Sequence, residues 1–227
     1  MKKTLVGFAA LFAVSVVVAF AQPTAAIDIT HSQIEAVQKA GAARTPPAVD
    51  QTLRVIDMGD YAMSVGIIHR GPTAAPPAVG GRGRGAGGGA GAAGRGRGGA
   101  PANVERCGEA APAGATLGPR GMIAHDDTVE TYIIVSGEGT LITGGTIVNG
   151  TRSGPESEVT KILNGPSCSG PVIGNFVSRK VTVGDVIVIP NKVPHGWTDI
   201  TDHVDYLSVR PDPKKVLEHG YVNPAIK

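Results

Sequence analysis

Two histidines and one glutamate are the residues of this sequence best suited to chemistry. We expect His125 to end one strand and Glu130 to begin the next, so that a tight connection points both side chains to one interior face. His195 follows an apolar run, Val186–Ile189, that Pro190 closes. Two imidazoles and one carboxylate form a standard ligand set for a divalent metal, as in open three-ligand Fe(II) or Zn sites.

The other four histidines have less suitable surroundings. His31 lies in a predicted helix, His219 near the end of the sequence and His203 in a polar stretch, so we expect these three side chains to be solvated. His69 ends an apolar strand beside Arg70. That position is more typical of a structural or rim residue, although His69 could provide an additional ligand.

The surroundings of the three candidate ligands resemble the two motifs of the cupin superfamily. The matching spacings are His125-x4-Glu130-x6-Gly137 for the second half of the first motif and Gly184-x5-Pro190-x4-His195 for most of the second. The resemblance covers roughly residues 115–211. It implies a jelly-roll β-barrel in which His125, Glu130 and His195 bind a divalent metal, and it does not distinguish Fe, Mn, Ni, Cu or Zn.

The sequence departs from the usual cupin pattern at three positions. Ile123 stands where the first motif usually has another histidine, and Lys192 and Asp199 replace a glycine and an asparagine of the second motif. The usual four-ligand site is thereby reduced to three ligands, which leaves positions open for water, dioxygen or substrate. The resemblance implies either a metal enzyme, such as a dioxygenase, isomerase or decarboxylase, or a binding or storage module that holds a small molecule without metal.

Aromatic residues near the motifs could line a small-molecule pocket. The three are Tyr132, Trp197 and Tyr206, although core packing is the more usual role for each. No spacing of Ser, His and Asp indicates a nucleophilic triad, and the Gly-x-Ser-x-Gly pattern does not occur. Cupins commonly pair through sheet edges, so the resemblance also implies that the chain could form a homodimer.

Residues 1–21 have the three parts of a secretory signal peptide. Lys2 and Lys3 give a positive start, an apolar run follows, and Ala19-Phe20-Ala21 fits the cleavage pattern that predicts a mature chain beginning at Gln22. The alternative is a membrane anchor, but the run is shorter than the ~20 apolar residues that a bilayer requires. We expect a secreted or periplasmic protein without stable membrane insertion.

Two cysteines, Cys107 and Cys168, would reach an oxidising compartment with the exported chain. A disulfide is therefore the first interpretation. The alternative is a pair of metal thiolates, but the spacing of the two cysteines fits no zinc motif. We predict that they form a disulfide.

Residues 71–102 consist almost wholly of Gly, Ala, Pro and Arg, which predicts a disordered loop because so little apolar surface can be buried. This loop and the signal peptide contain six of the 21 Lys and Arg residues and no acid. The remaining 15 basic residues face 19 acidic ones, which argues against a nucleic-acid partner. A small-molecule ligand is the expected partner.

Many short strand patterns broken by glycine predict an all-β domain over residues 51–227. Residues 22–50 precede it as a helix, with a capping box at Ser32 and Glu35 and an end near Gly41, and a linker. The predicted strands are 52–58, 61–69, 123–125, 129–135, 140–143, 172–177, 180–183, 186–190 and 204–210. Turns are expected at 137–139, 144–145 and 184–185, and a second insertion at about 150–170.

Overall fold

A computed structural model of the chain describes residues 23–73 and 104–227. The predicted signal peptide, and all but the start of the predicted low-complexity loop, lie outside these residues. Across the two described ranges, no helix combines the length and the apolar character needed to cross a membrane.

Antiparallel strands are the main regular structure of the described chain. One helix, α1 (His31–Ala42), precedes them, and a π-helical segment, Val159–Leu163, lies between two of them. The strands are β1 (Asp50–Asp57), β2 (Ala62–Arg70), β3 (Arg106–Cys107), β4 (Met122–His125), β5 (Glu130–Ile147), β6 (Gly150–Arg152), β7 (Ser167–Gly170), β8 (Val172–Thr182), β9 (Val186–Ile189), β10 (His195–Thr198) and β11 (Val204–Asp212).

These strands form one curled sheet in the order β1-β2-β11-β5-β10-β4-β7-β6-β3, and β8 and β9 also pair with β5. The first half of β5 pairs with β9 and β11, and its second half pairs with β8 and β10. Because β5 takes part in both halves of the sheet, it curls the sheet around a common interior. The architecture confirms the predicted all-β class and is consistent with a jelly-roll barrel.

The continuity of β5 corrects two predicted turns. Gly137 has a φ of 68° and lies beside an irregularity in the pairing with β11, where a Cβ would overlap the carbonyl oxygen of His203. Gly144 and Gly145 lie at a second irregularity, opposite β8. The glycines therefore bend the strand without reversing it, as β-bulges do.

Two other segments also differ from expectation. The predicted strands 172–177 and 180–183 merge into one strand, β8, which ends at Thr182. Its middle is exposed and so lacks the alternation of a half-buried strand. The predicted insertion at 150–170 is an ordered part of the sheet, because it contains β6, the π-helical segment and β7. The sequence pattern missed β3 and β10, which are too short to show a period.

The N-terminal cap of α1 lies two residues before the predicted one. The side chain of Thr30 accepts a hydrogen bond from the backbone N–H of Gln33, and the side chain of Gln33 accepts one from the backbone N–H of Thr30. This capping box replaces the predicted one at Ser32 and Glu35, which have the same spacing.

The helix packs directly on the sheet. Val37 is fully buried against Leu53 of β1 and Ile67 of β2. The predicted linker after α1 therefore does not separate the helix from the barrel.

The main apolar core fills one end of the curled sheet. Its buried members are Ile68, Tyr132, Ile134, Leu141, Val181, Ile189, Ile200, Val204 and Tyr206. Burial alternates along β11, so that Tyr206, Ser208 and Arg210 all point inward from the same strand. Towards Arg210 the interior becomes polar, and the candidate ligands lie there.

The predicted disulfide between Cys107 and Cys168 is present and joins β3 to β7. The two cysteines are therefore not available as metal thiolates. A disulfide of this kind is typical of an oxidising, extracytoplasmic environment.

Candidate metal centre

The structure brings His125, Glu130 and His195 together in the interior. Their ligand atoms all lie within 4.8 Å of one another, and the three residues are only 2–3% exposed. His125 ends β4, Glu130 begins β5 and His195 begins β10, which pairs with both of the other strands. We call these three residues the candidate centre.

Hydrogen bonds at Nδ1 fix the tautomers of both histidines. The Nδ1 of His195 lies 2.9 Å from the backbone oxygen of Val193, and a carbonyl can only accept, so this nitrogen carries the proton. The hydroxyl of Ser167 donates to the backbone oxygen of Gly165 at 2.8 Å, so it must accept from the Nδ1–H of His125, also at 2.8 Å. In neutral imidazoles, both Nε2 atoms are then left with free lone pairs.

Both of these Nε2 atoms face one oxygen of Glu130. The Oε2 atom lies 3.2 Å from Nε2 of His125 and 2.9 Å from Nε2 of His195. Tyr132, two residues along the same strand, donates its hydroxyl proton to this oxygen at 2.7 Å. Three electron-rich atoms therefore converge on one point.

The other carboxylate oxygen of Glu130 is held by β11. Arg210 donates its Nε–H to Oε1 at 2.7 Å, and Ser208 donates its hydroxyl proton to the same atom at 3.1 Å. Arg210 is 1% exposed and also donates to Asp50 at 2.7 Å and to the backbone oxygen of Leu163 at 3.1 Å. The buried guanidinium thus bridges two carboxylates, as a buried charge requires.

The charges around the centre favour metal-binding protonation states. Burial by itself would raise the pKa of Glu130, but the positive charge of Arg210 holds that pKa well below its usual range. Burial lowers the pKa of His125 despite the negative charge of Glu130. Burial also raises the pKa of Tyr132 well above its usual value, and the charge of Glu130 adds to this rise. At neutral pH the carboxylate is ionised and His125 is neutral, as a metal requires.

The donor set has the atom types that a divalent ion binds. Two ligand atoms that each lie ~2.1 Å from a metal are about 3.0–3.4 Å apart at octahedral or tetrahedral angles. The two contacts of Glu130 Oε2, at 2.9 and 3.2 Å, are close to this separation, and the three ligand atoms all lie within 4.8 Å of one another. Within the described parts of the chain, Nε2 of His195 is also a buried nitrogen without a hydrogen-bond partner. A buried polar atom without a partner requires an explanation, and binding of an ion is one.

The three aromatic residues pack against one another beside the centre. Tyr206 is 0% and Tyr132 3% exposed, with ring centroids 4.3 Å apart. Trp197 is partly buried, stacks on Tyr206 at 5.3 Å and donates its indole N–H to the Tyr206 hydroxyl at 3.2 Å. These residues form one wall of the core, and Tyr132 is the one that contacts the centre directly.

His69 does not join the candidate centre. Its position on the outward face of β2 leaves the side chain 53% exposed, and its Nδ1 lies 2.6 Å from a carboxylate oxygen of Asp205. Its ring stacks on His203 at 6.0 Å. The structure therefore places His69 in a surface cluster, and the hypothesis of an additional ligand is not supported.

The surface cluster contains an arrangement that sequence spacing missed. The Nε2 of His203 lies 2.8 Å from the hydroxyl of Ser136, and its Nδ1 lies 2.7 Å from a carboxylate oxygen of Asp202. The order Ser–His–Asp is that of a nucleophilic triad, but Asp202 is 89% exposed. Because water competes for so exposed a carboxylate, we assign no reaction to this cluster.

The outer partners of the centre were also missed. Ser167 and Arg210 lie 42 and 80 residues from the ligands that they hold, so no local spacing connects them. One signal was available, because alternation along β11 places Ser208 and Arg210 on the same face as Tyr206. A buried arginine on that face indicates a buried carboxylate.

A cavity of about 410 Å3 is lined by residues that neighbour two of the three ligands in the sequence, but not by the ligands themselves. Its walls include Ala124 and Asp126, which flank His125, and Pro194, which precedes His195. A second cavity, of about 340 Å3, lies between α1 and the C-terminal residues. Neither cavity is lined by the three ligands, which are only 2–3% exposed.

No protein-family model and no curated protein sequence matches this chain. Among solved structures, it is similar to recombinant oxalate oxidase in complex with glycolate, at 12% identity and a TM-score of 0.30, over 74% of this chain and 53% of that one. It is also similar to Peruvianin-I, a cysteine peptidase from Thevetia peruviana latex, at 9% identity and a TM-score of 0.30, over 79% and 74%. The match spans about half the length of the oxalate oxidase chain. Similarities this weak assign neither family nor activity.

Proposed function

We propose that this protein is a metal-binding cupin of the cell envelope that binds or transforms a small molecule at the candidate centre. One observation carries the proposal. Both histidines donate Nδ1–H to protein acceptors, and both Nε2 atoms and one oxygen of Glu130 face the same point in a buried interior. The cupin-like motif spacing and the curled all-β sheet support the same conclusion.

A bound divalent metal would supply Lewis-acid polarisation of an oxygen on the bound molecule. The chain itself supplies three ligands and leaves coordination positions free, which is the pattern of catalytic sites. Arg210 holds Glu130 through Oε1 and keeps Oε2 turned towards the histidines. Tyr132 stays protonated and donates a hydrogen bond there. Within this function, we favour a non-haem dioxygenase or an isomerase, because two histidines and a carboxylate suit Fe(II).

A second candidate function is a metal-free module that binds or stores a small molecule. It is favoured by the hydrogen bonds of Glu130, whose two oxygens already accept from Tyr132, Ser208 and Arg210. A carboxylate satisfied in this way does not need a metal to be stable in the interior.

Elemental analysis distinguishes the two functions. Untagged protein from an oxidising compartment should contain close to one metal ion per chain, and Glu130→Gln should lose it, because the amide offers a weaker, neutral oxygen. His219→Ala is the matched control, since His219 lies outside the centre and should keep the metal. Wild-type protein that stays empty after incubation with Fe(II), Mn(II), Ni(II), Cu(II) and Zn(II) would overturn the metal function and favour the module.

Export is a further part of the proposal. The charged and apolar N-terminus supports it, as does the disulfide, which is typical of oxidising compartments. N-terminal sequencing of protein from the native host should begin at Gln22. A chain that retains Met1 would contradict export by a cleaved signal.

A further inference from the structure

Building on the proposed metal centre, we infer that four consecutive backbone carbonyls, those of residues 162–165, position two of the three metal ligands. We call these groups the carbonyl row. They lie at the end of the π-helical segment Val159–Leu163, in the region whose sequence suggested only an insertion. The last carbonyls of a helix have no partner within the helix and must be satisfied from outside.

Each carbonyl of the row accepts a hydrogen bond from a different side chain. The donors are Thr52 to Ile162 at 2.8 Å, Arg210 to Leu163 at 3.1 Å, Thr128 to Asn164 at 2.7 Å and Ser167 to Gly165 at 2.8 Å. All four donor residues are only 1% exposed. Water therefore cannot readily replace a donor that is removed, and the row is anchored by the barrel interior.

One of the four donors, Ser167, connects the row to His125. The Ser167 hydroxyl has a single proton, which it gives to the Gly165 carbonyl, so its oxygen must accept the Nδ1–H of His125. The row thereby decides both the tautomer and the ring orientation of this ligand. A hydroxyl that was free to rotate could instead donate to His125 and place the proton on the wrong nitrogen.

A second donor, Arg210, connects the row to Glu130. Arg210 spans the Leu163 carbonyl, the carboxylate of Asp50 and Oε1 of Glu130. The planar guanidinium holds these three acceptors in fixed directions. The glutamate is therefore held through Oε1, which leaves Oε2 for the histidines.

The third donor tethers the connection between these two ligands. Thr128 lies between His125 and Glu130 and gives its hydroxyl proton to the Asn164 carbonyl. The fourth donor, Thr52, belongs to β1 and contacts no ligand. Ser167, Arg210 and Thr128 are thus positioning residues, whereas the hydrogen bond of Thr52 to Ile162 leads to no ligand, so Thr52 provides a matched control.

The test compares Ser167→Ala with Thr52→Val in the full mature chain, using Co(II) alone as the probe. Each variant removes one buried hydroxyl from the same row, but only Ser167→Ala removes the partner of a ligand. Because changes to outer-shell partners typically cost about 10- to 100-fold in metal affinity, we expect Ser167→Ala to bind Co(II) more weakly by that factor. Its Co(II) visible absorption should also shift, whereas Thr52→Val should keep wild-type affinity and spectrum.

NMR of the imidazole nitrogens in the metal-free protein reports the tautomer of His125, which a general loss of stability would not change. The Nδ1–H tautomer of His125 should be present in wild type and in Thr52→Val and should be lost in Ser167→Ala. Should Ser167→Ala not fold, Thr128→Val takes its place in the Co(II) titration, with weaker binding expected.

The outcomes separate this inference from the proposed function. Wild-type protein that binds no Co(II) would overturn both. Wild-type protein that binds Co(II), together with Ser167→Ala of equal affinity and tautomer, would overturn the inference alone. Equal weakening in Ser167→Ala and Thr52→Val would also overturn it, because the row would then act only through stability.

Discussion

Two clusters of histidine and carboxylate in this molecule can be compared directly. In the candidate centre the two imidazole rings lie 5.0 Å apart, and in the surface cluster the rings of His69 and His203 lie 6.0 Å apart. At the surface, the Nδ1 of each histidine faces a carboxylate of its own, Asp205 or Asp202. In the centre, each Nδ1 donates to a neutral oxygen and both Nε2 atoms share one carboxylate.

The comparison shows that residue type alone does not make a metal site. Both clusters contain two imidazoles and acidic oxygens within reach of one another. The centre differs because water is excluded and the N–H groups are directed away from the convergence point by outer hydrogen bonds. At the surface, water competes for the histidine and aspartate side chains, so such contacts contribute little to stability.

Removing a ligand from each cluster should give the largest contrast. His195→Ala should lower metal affinity by more than about 100-fold, since loss of an outer-shell partner alone costs 10- to 100-fold. His69→Ala should leave affinity unchanged. Titration of both variants with Zn(II) by calorimetry measures the difference. Equal losses would mean that the metal binds at the surface and that the comparison is wrong.

Removing the buried cation of the centre should have the next largest effect. Arg210→Met leaves Glu130 and Asp50 without their shared partner, and breaking a buried pair in this way costs about 3–5 kcal/mol. Urea unfolding of the metal-free protein measures the free energy of unfolding. The control is Lys180→Met, which removes an exposed ion pair with Glu138 and should change stability by less than about 1 kcal/mol.

Removing the disulfide tests the support on one side of the centre. Cys168 directly follows Ser167, and both lie opposite the end of β4 that carries His125. Replacing Cys107 and Cys168 by serine should lower the free energy of unfolding by about 2–4 kcal/mol, because the unfolded chain regains loop entropy. Chemical denaturation under non-reducing conditions checks this value. Unchanged stability would show that β7 is held without the bridge.

Changes in the surface cluster should have the smallest effect. His203→Gln removes a ring that contacts Ser136, Asp202 and His69, yet exposed pairs of this kind are worth less than about 1 kcal/mol. Thermal unfolding and metal titration should both stay close to wild type. A large loss of stability would mean that the surface cluster is structurally more important than its exposure indicates.

The sequence by itself determined much of the fold and the identity of the candidate ligands. Short strand-forming runs broken by glycine turns predicted most strands. The spacing of His125, Glu130 and His195 within two motifs singled them out, and the chemistry of an exported chain singled out Cys107 and Cys168. All of these signals are local, or depend only on residue type.

Only the tertiary structure decided how the centre is held. Arg210 and Ser167 reach their ligands across 80 and 42 residues, and the carbonyl row belongs to a segment whose sequence indicated only an insertion. The continuity of β5 was also decided by the tertiary structure. Gly137 bends this strand, whereas the sequence pattern predicted two separate strands there. Periodicity shows which face a residue points to but not which strand lies beside it, because strand pairing depends on contacts distant in the chain. The outer shell of the centre is made of such contacts.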